Sequence, residues 1–172
     1  ERYPGAQFDM VRLGLGLYGV NPFTNEMLSN VCTLKTTILQ IRDVPQEDSV
    51  GYSRKGRLER DSRIAAIPIG YADGLQRRLG NKAQICINGQ RANIVGRICM
   101  DQCMVKIDKD IDIKIGDEVI IFGDSNRSVD NIAKDLGTIN YEIICMVSRR
   151  VDRVYKEGNV ILQADSYLVK WK

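Results

Sequence analysis

Residues 83–95 read Ala83-Gln84-Ile85-Cys86-Ile87-Asn88-Gly89-Gln90-Arg91-Ala92-Asn93-Ile94-Val95. Two β-rich runs, Ala83–Ile87 and Ala92–Val95, flank Asn88-Gly89, the strongest short hairpin signal in the chain. Working outward, Ile64–Ile69 is a short apolar strand, and Ile98–Ile107 and Val119–Phe122 are two more. Val31–Val44, rich in Thr, Ile and Leu, reads as one long strand closed by the turn Pro45–Ser49. Val11, Leu13, Leu15 and Leu17 alternate with Arg12, Gly14, Gly16 and Tyr18, a period of two that predicts a strand ending before Pro22. Residues 53–62 carry six charged side chains and read as a solvated, mobile loop. Only the later part changes period. Ser128 caps a short helix running through Lys134 and stopped by Gly137, and Thr138 or Asn140 caps a second with Ile139, Ile143 and Val147 on one face. Arg150–Tyr155 returns to strand, and 156–172 reads as an appended hairpin or tail. Many short strands, turn-rich links and two short helices predict a mainly β domain of barrel type.

The 172 residues include 25 Lys+Arg, 22 Asp+Glu and no His, for a net charge of +3. Without His there is no Ser-His-Asp or Cys-His catalysis within this chain and no zinc site that uses His. The remaining proton-transfer groups are Tyr, Lys, Cys and the carboxylates. Five Cys with no C-x-x-C pair suit small buried hydrophobes in a reducing compartment, hence the cytoplasm, and no metal site. The weak charge argues against nucleic acid, and no apolar run is long enough to span a membrane. The chain opens at Glu1 rather than at Met, which reads as a piece of a longer protein or a processed chain.

Several polar residues sit oddly in this pattern. Gly14-Leu15-Gly16-Leu17-Tyr18-Gly19 fits G-x-G-x-x-G, but the glycines lie inside a strand pattern and Asn21-Pro22 follows, so the dinucleotide reading fails. A phosphate on the amides of Gly14 and Leu15 stays open. Arg12 is a charge in an apolar strand, where most arginines point to solvent. Tyr52 follows a turn with cations nearby, where an isolated Tyr is ordinarily a packing residue. Ile69–Gly74 ends a strand in small residues, and Cys99-Met100-Asp101 interrupts another with a carboxylate whose common fate is to bond loop amides.

Taken together these residues form ordered strings: Val-Arg-Leu-Gly (11–14), Leu-Tyr-Gly (17–19), Val-Gly-Tyr-Ser (50–53), Ile-Gly-Tyr-Ala-Asp-Gly (69–74), Val-Gly-Arg-Ile-Cys-Met-Asp-Gln (95–102) and Thr-Ile-Asn-Tyr-Glu (138–142). The set closely resembles the C-terminal part of bacterial alanine racemase, a pyridoxal 5'-phosphate enzyme. The resemblance covers about residues 5–155. It implies a β-barrel-like C-terminal domain at 31–155, a remnant of the last element of an N-terminal α/β barrel at 1–30, and a tail or hairpin at 156–172. That barrel carries the cofactor on a Lys and is otherwise absent from the chain. The chain alone is therefore expected to be inactive, with disorder or an altered position over its first 30 residues.

By resemblance, Tyr52 is one of two bases. Racemisation removes the α-proton from one face of the substrate and returns it to the other, so Tyr serves one face and Lys its opposite. A free phenol ionises near pH 10, so a tyrosine working as a base at neutral pH needs positive charge beside it. Arg12 matches the residue facing the cofactor's pyridine nitrogen. Gly14 and Leu15 match phosphate-holding amides, and Tyr141 a phosphate-holding hydroxyl. Met100 matches a substrate contact through its backbone N–H, and Tyr71 a residue at the mouth of the active site. Asp101 and Cys99 support that turn. The resemblance also implies a head-to-tail homodimer in which Tyr52, Tyr71 and Met100 reach into the neighbouring subunit's site, a small amino-acid substrate, and a role supplying D-alanine for peptidoglycan. Gly51 and Ser53 depart from the family's usual Ser and Gly, both small swaps. The residues by themselves also suit a non-catalytic β-barrel module for dimerisation or binding.

Overall fold

A computed structural model describes residues 3–12, 14–19, 28–108, 111–124 and 127–166. The chain divides into two compact units, Glu1–Thr33 and Leu34–Lys172. In the first, short 3-10 helices occupy Pro4–Ala6 and Leu15–Tyr18. The strand predicted over 11–17 is therefore corrected. Alternation alone does not hold a strand without a ladder partner, and the local bonds Leu17 N–H to Gly14 C=O and Gly19 N–H to Gly16 C=O wind the segment instead. Leu13, the predicted end at Pro22 and part of the stretch up to residue 30 lie outside the described residues.

The second unit is mainly β. Its strands are β1 (Leu34–Thr37), β2 (Gln40–Val44), β3 (Ser49–Val50), β4 (Gly56–Arg57), β5 (Ser62–Ile67), β6 (Gln84–Ile87), β7 (Gln90–Val95), β8 (Cys103–Ile107) and β9 (Glu118–Phe122). The helices α1 (Val129–Leu136) and α2 (Asn140–Met146) follow, then β10 (Arg153–Glu157) and β11 (Val160–Asp165). Seven strands form one antiparallel sheet in the order β1-β9-β6-β7-β8-β5-β2. The predicted single strand over 31–44 is thus two strands on opposite edges, joined only by Ile38-Leu39. A two-residue link spans at most roughly 11 Å, whereas the outer strands of a flat seven-stranded sheet would stand roughly 29 Å apart. The sheet must curl until its edges meet. Ile38 N–H donates to Asp117 C=O at 3.0 Å beside one edge, and Leu39 N–H donates to Ala66 C=O at 2.9 Å beside the other.

The concave side is filled by alternate residues. Ile67, Ile85, Ile87, Val105, Ile107, Val119 and Ile121 are almost wholly buried, and Ile38 from the link joins them. A smaller cluster of Val50, Leu58, Ile64 and Val95, with Val44 and Met104 against it, pins the β3–β4 hairpin. Leu58 and β4 therefore bring order to part of the stretch expected to be a mobile loop.

Helix α1 buries Val129, Ile132, Ala133 and Leu136, one face at 3.6 spacing. Ser128 caps it reciprocally with Asn131, and Gly137 ends it with φ 69° and ψ 40°. Helix α2 starts after Ile139, which is exposed, while Asn140 and Ile143 are buried. The predicted face of Ile139, Ile143 and Val147 gives way because the Asn140 amide turns inward to Asp130, at 2.6 Å. The final strands pair as an antiparallel hairpin, so the predicted strand over 150–155 begins at Arg153, and of the stretch read as a hairpin or tail Val160–Asp165 is the return strand.

The β6–β7 turn holds Asn88 at φ 49° and Gly89 at φ 76°, and a Cβ on Gly89 would touch nothing within 4 Å. Gly89→Ala tests backbone conformation alone. It should lower the free energy of unfolding by about 1 kcal/mol, read from the urea midpoint.

Candidate active site

Chain leaving β5 and chain entering β8 lie at one end of the sheet, because Ile67 pairs with Cys103. The loops there, 69–74 and 97–102, are zipped backbone to backbone. Tyr71 N–H donates to Cys99 C=O and Ala72 N–H to Met100 C=O, both at 3.0 Å. This approach requires Gly70, where a Cβ would lie 2.3 Å from the Cys99 and Met100 oxygens. Asp73 turns back within its loop to accept from Gly70 N–H at 2.8 Å. The zipper sets Tyr71 and Met100 side by side.

Tyr52 comes to the same place from the β3–β4 hairpin. Val50 and Leu58 anchor the two sides of that loop in the small cluster, and its tip carries Ser53 and Arg54 at φ 58° and 54°. Left-handed backbone at two successive non-glycine residues costs about 1 kcal/mol each. It is held by the Arg54 Nε bond to Ser49 Oγ at 2.8 Å and the Arg97 Nη1 bond to Ser53 Oγ at 3.2 Å. Tyr52 is 68% exposed.

Tyr52, Tyr71, Arg77, Arg97, Ile98, Cys99 and Met100 line one cavity of about 430 Å³. The Arg77 guanidinium carbon sits 6.0 Å from the centre of the Tyr71 ring, the outer limit of a cation–π contact. Two of the lining side chains are cationic and none is acidic. A second cavity of about 510 Å³ lies at Asp43–Pro45 and Asp61–Arg63. Its polar groups are engaged with one another and with nearby backbone: Arg63 with Asp43, Ser62 with Arg60 C=O, and Asp61 with Gln46 N–H.

Behind the zipper, Arg150 joins both loops. Its Nε donates to Asp73 Oδ1 at 2.7 Å and its Nη2 to Asp101 Oδ1 at 2.5 Å. Hydrogen bonds to Asp73 and then to Asp101 hold this guanidinium above its ordinary pKa, so it is permanently charged. The sequence singles out Tyr52, Tyr71, Cys99, Met100 and Asp101 but not Arg150 or Arg77. Asp73 and Arg97 are visible only as members of motif strings. Tyr141 is carried on α2, partly exposed and outside the cavity lining. Arg12, Gly14 and Leu15 belong to the first unit, with Arg12 and Gly14 exposed. No group of metal-ligand type is assembled among the described residues.

The family model "Alanine racemase, C-terminal domain" matches residues 31–155. This chain belongs to the alanine racemase family. It is 47% identical to the alanine racemase of Clostridium novyi (strain NT), with 96% of this chain and 45% of that protein covered. The solved alanine racemase of Clostridium difficile 630 in complex with cycloserine superposes with a TM-score of 0.86 at 50% identity, over 93% of this chain and 44% of the other. That of Bartonella henselae with covalently bound pyridoxal phosphate gives a TM-score of 0.76 at 36% identity, over 81% and 40%. The chain thus spans less than half the length of the alanine racemases it matches.

Beneath the cavity, Cys103 is wholly buried and its thiol is pushed up to about 12, first by burial and then by Cys99. An unfolded thiol gives up its proton near pH 9, earlier than the folded one. The Cys103 contribution is therefore complete below pH 9 and is lost as pH rises towards 12, at up to about 1.4 kcal/mol per pH unit. Urea titrations at pH 8 and 10 should show a smaller alkaline loss for Cys103→Ala than for the parent. In the folded protein at pH 8, iodoacetamide should label the exposed Cys145 and spare Cys103 and Cys86.

Proposed function

We propose that this chain is the C-terminal domain of a pyridoxal-phosphate-dependent alanine racemase that interconverts L- and D-alanine by a two-base proton transfer. The observation that carries the reading is Tyr52, an exposed phenol on a cavity shared with Tyr71 and Met100, in a chain of this family. Tyr52 Oη takes the α-proton from one face of the amino acid, or returns it there. A lysine from the remainder of the protein serves the opposite face, so the proton count is unchanged over a turnover.

Pyridoxal phosphate, when bound, draws electron density from the α-carbon and so acidifies its hydrogen. The residues assigned to it fit by donor chemistry: a guanidinium, two backbone amides and a phenol hydroxyl, with Arg12, Gly14 and Tyr141 each accessible. In this reading the Arg12 guanidinium faces the ring nitrogen as a cationic hydrogen-bond donor. The amides of Gly14 and Leu15 and the hydroxyl of Tyr141 hold the phosphate. Met100 N–H contacts the substrate, Tyr71 lines the mouth, and Asp101 and Cys99 shape the turn between them. Arg77 and Arg97 give that mouth a charge that favours a carboxylate.

The activity belongs to the full-length protein. There, residues 1–30 complete the N-terminal barrel, residues 31–155 form this domain, and a homodimer partner completes the site. The 172 residues alone are expected not to racemise alanine. The same reading places the protein in the cytoplasm, supplying D-alanine for peptidoglycan. No helix among the described residues is long and apolar enough to cross a membrane.

Tyr52→Phe in the full-length protein removes only the phenol oxygen. It should lower kcat for alanine racemisation by about 10²-fold or more, measured in both directions by circular dichroism. A near-parental rate would remove Tyr52 from the mechanism.

A further inference from the structure

Arg150 was outside every motif, yet one guanidinium is shared by carboxylates from two loops. Asp73 lies two residues after Tyr71, and Asp101 immediately follows Met100. Asp73 accepts from Gly70 N–H through one oxygen and from Arg150 Nε through the other. Its backbone carbonyl accepts from Ser148 N–H at 3.1 Å, and Arg150 N–H donates to Ser148 Oγ at 3.3 Å. The segment that follows α2 is thereby stitched to both cavity loops.

Exposure limits what the Asp101 contact adds to folding, since Asp101 is 61% exposed and Arg150 33%, whereas Asp73 is 13% exposed. Geometry accounts for the joining of the two. The Nε and Nη2 donors lie in one rigid plane, so they fix two carboxylates at a set separation, which a lysine cannot reproduce. Without the cation, the two acids would face one another unneutralised and push their loops apart. Among the described residues, the other hydrogen bonds between the loops run from the Tyr71 and Ala72 amides to Cys99 and Met100, and Tyr71, Cys99 and Met100 line the cavity.

We infer that Arg150 is a positioning residue that sets the distance between Tyr71 and Met100 by holding Asp73 and Asp101 together, and so shapes the cavity for substrate. The inference rests on the reading of that cavity as the substrate's approach to Tyr52.

The test uses the full-length protein with Arg150→Met, Arg150→Lys, Asp101→Asn and the double variant Arg150→Met/Asp101→Asn. Amide hydrogen exchange reads the geometry whether or not the protein is active. The Tyr71 and Ala72 amides should exchange at least about tenfold faster in Arg150→Met while β5 and β8 amides keep their protection. Kinetics read the consequence. KM for alanine should rise about tenfold in Arg150→Met with kcat within about threefold, because substrate binding and not the proton transfer is disturbed. Arg150→Lys should fall between, and the double variant should be no worse than Arg150→Met because Asp101 no longer repels. Unchanged exchange at Tyr71 and Ala72 overturns the inference, as does a lowered melting temperature with unchanged KM, which would make Arg150 a structural brace only. Faster exchange in Arg150→Met, together with a parent protein that does not racemise alanine, would instead sink the functional reading and leave the positioning role standing.

Discussion

The structure depends on one geometric constraint: strands at opposite edges of a seven-stranded sheet are consecutive in sequence and only Ile38-Leu39 separates them. Curvature is therefore imposed by chain connectivity. Once the sheet curls, Ile67, Ile85, Ile87, Val105, Ile107, Val119 and Ile121 share a common interior, and apolar burial then stabilises what connectivity requires. Backbone bonds from Ile38 to Asp117, beside β9, and from Leu39 to Ala66, in β5, carry the two outer ladders right up to the link.

The site follows from the same antiparallel register. Pairing of Ile67 with Cys103 brings two loops to one end, Gly70 lets their backbones meet, and the outer cluster around Val50 and Leu58 delivers Tyr52 to them. Rigid packing supplies the supports and polar groups supply the separations. Exposed Tyr52, Tyr71 and Met100 contribute little to folding, which leaves them available for chemistry. The left-handed backbone at Ser53 and Arg54 shows local stability yielded at the loop tip.

Much of this was legible in the sequence where the signal is local. Asn88-Gly89 dictates its own turn, and Ser128 with Gly137 brackets α1, because caps and turns are decided within a few residues. Other features are not local. Nothing in the Thr/Ile/Leu-rich run over 31–44 marks the break at Ile38-Leu39, since both halves have strand propensity and only their partners differ. The alternation at 11–17 shows the converse, a strand pattern with a helical turn in its place. At the site, Tyr52, Tyr71 and Met100 stood out through ordered motifs. Arg150 did not, because its meaning lies in two carboxylates 77 and 49 positions away.

The short seam has a further consequence for how this fold tolerates change. Extra residues after Gly89 would lengthen a solvent-exposed turn while the ladders on either side kept their register. The same insertion between Ile38 and Leu39 would relax the tether that forces the edges together. The outer edges of β1 and β2, which do not pair with each other, would then stand further apart and be more accessible to other chains. Length variation among natural or engineered versions of this domain should accordingly be sparse at that link and common at the hairpin tip.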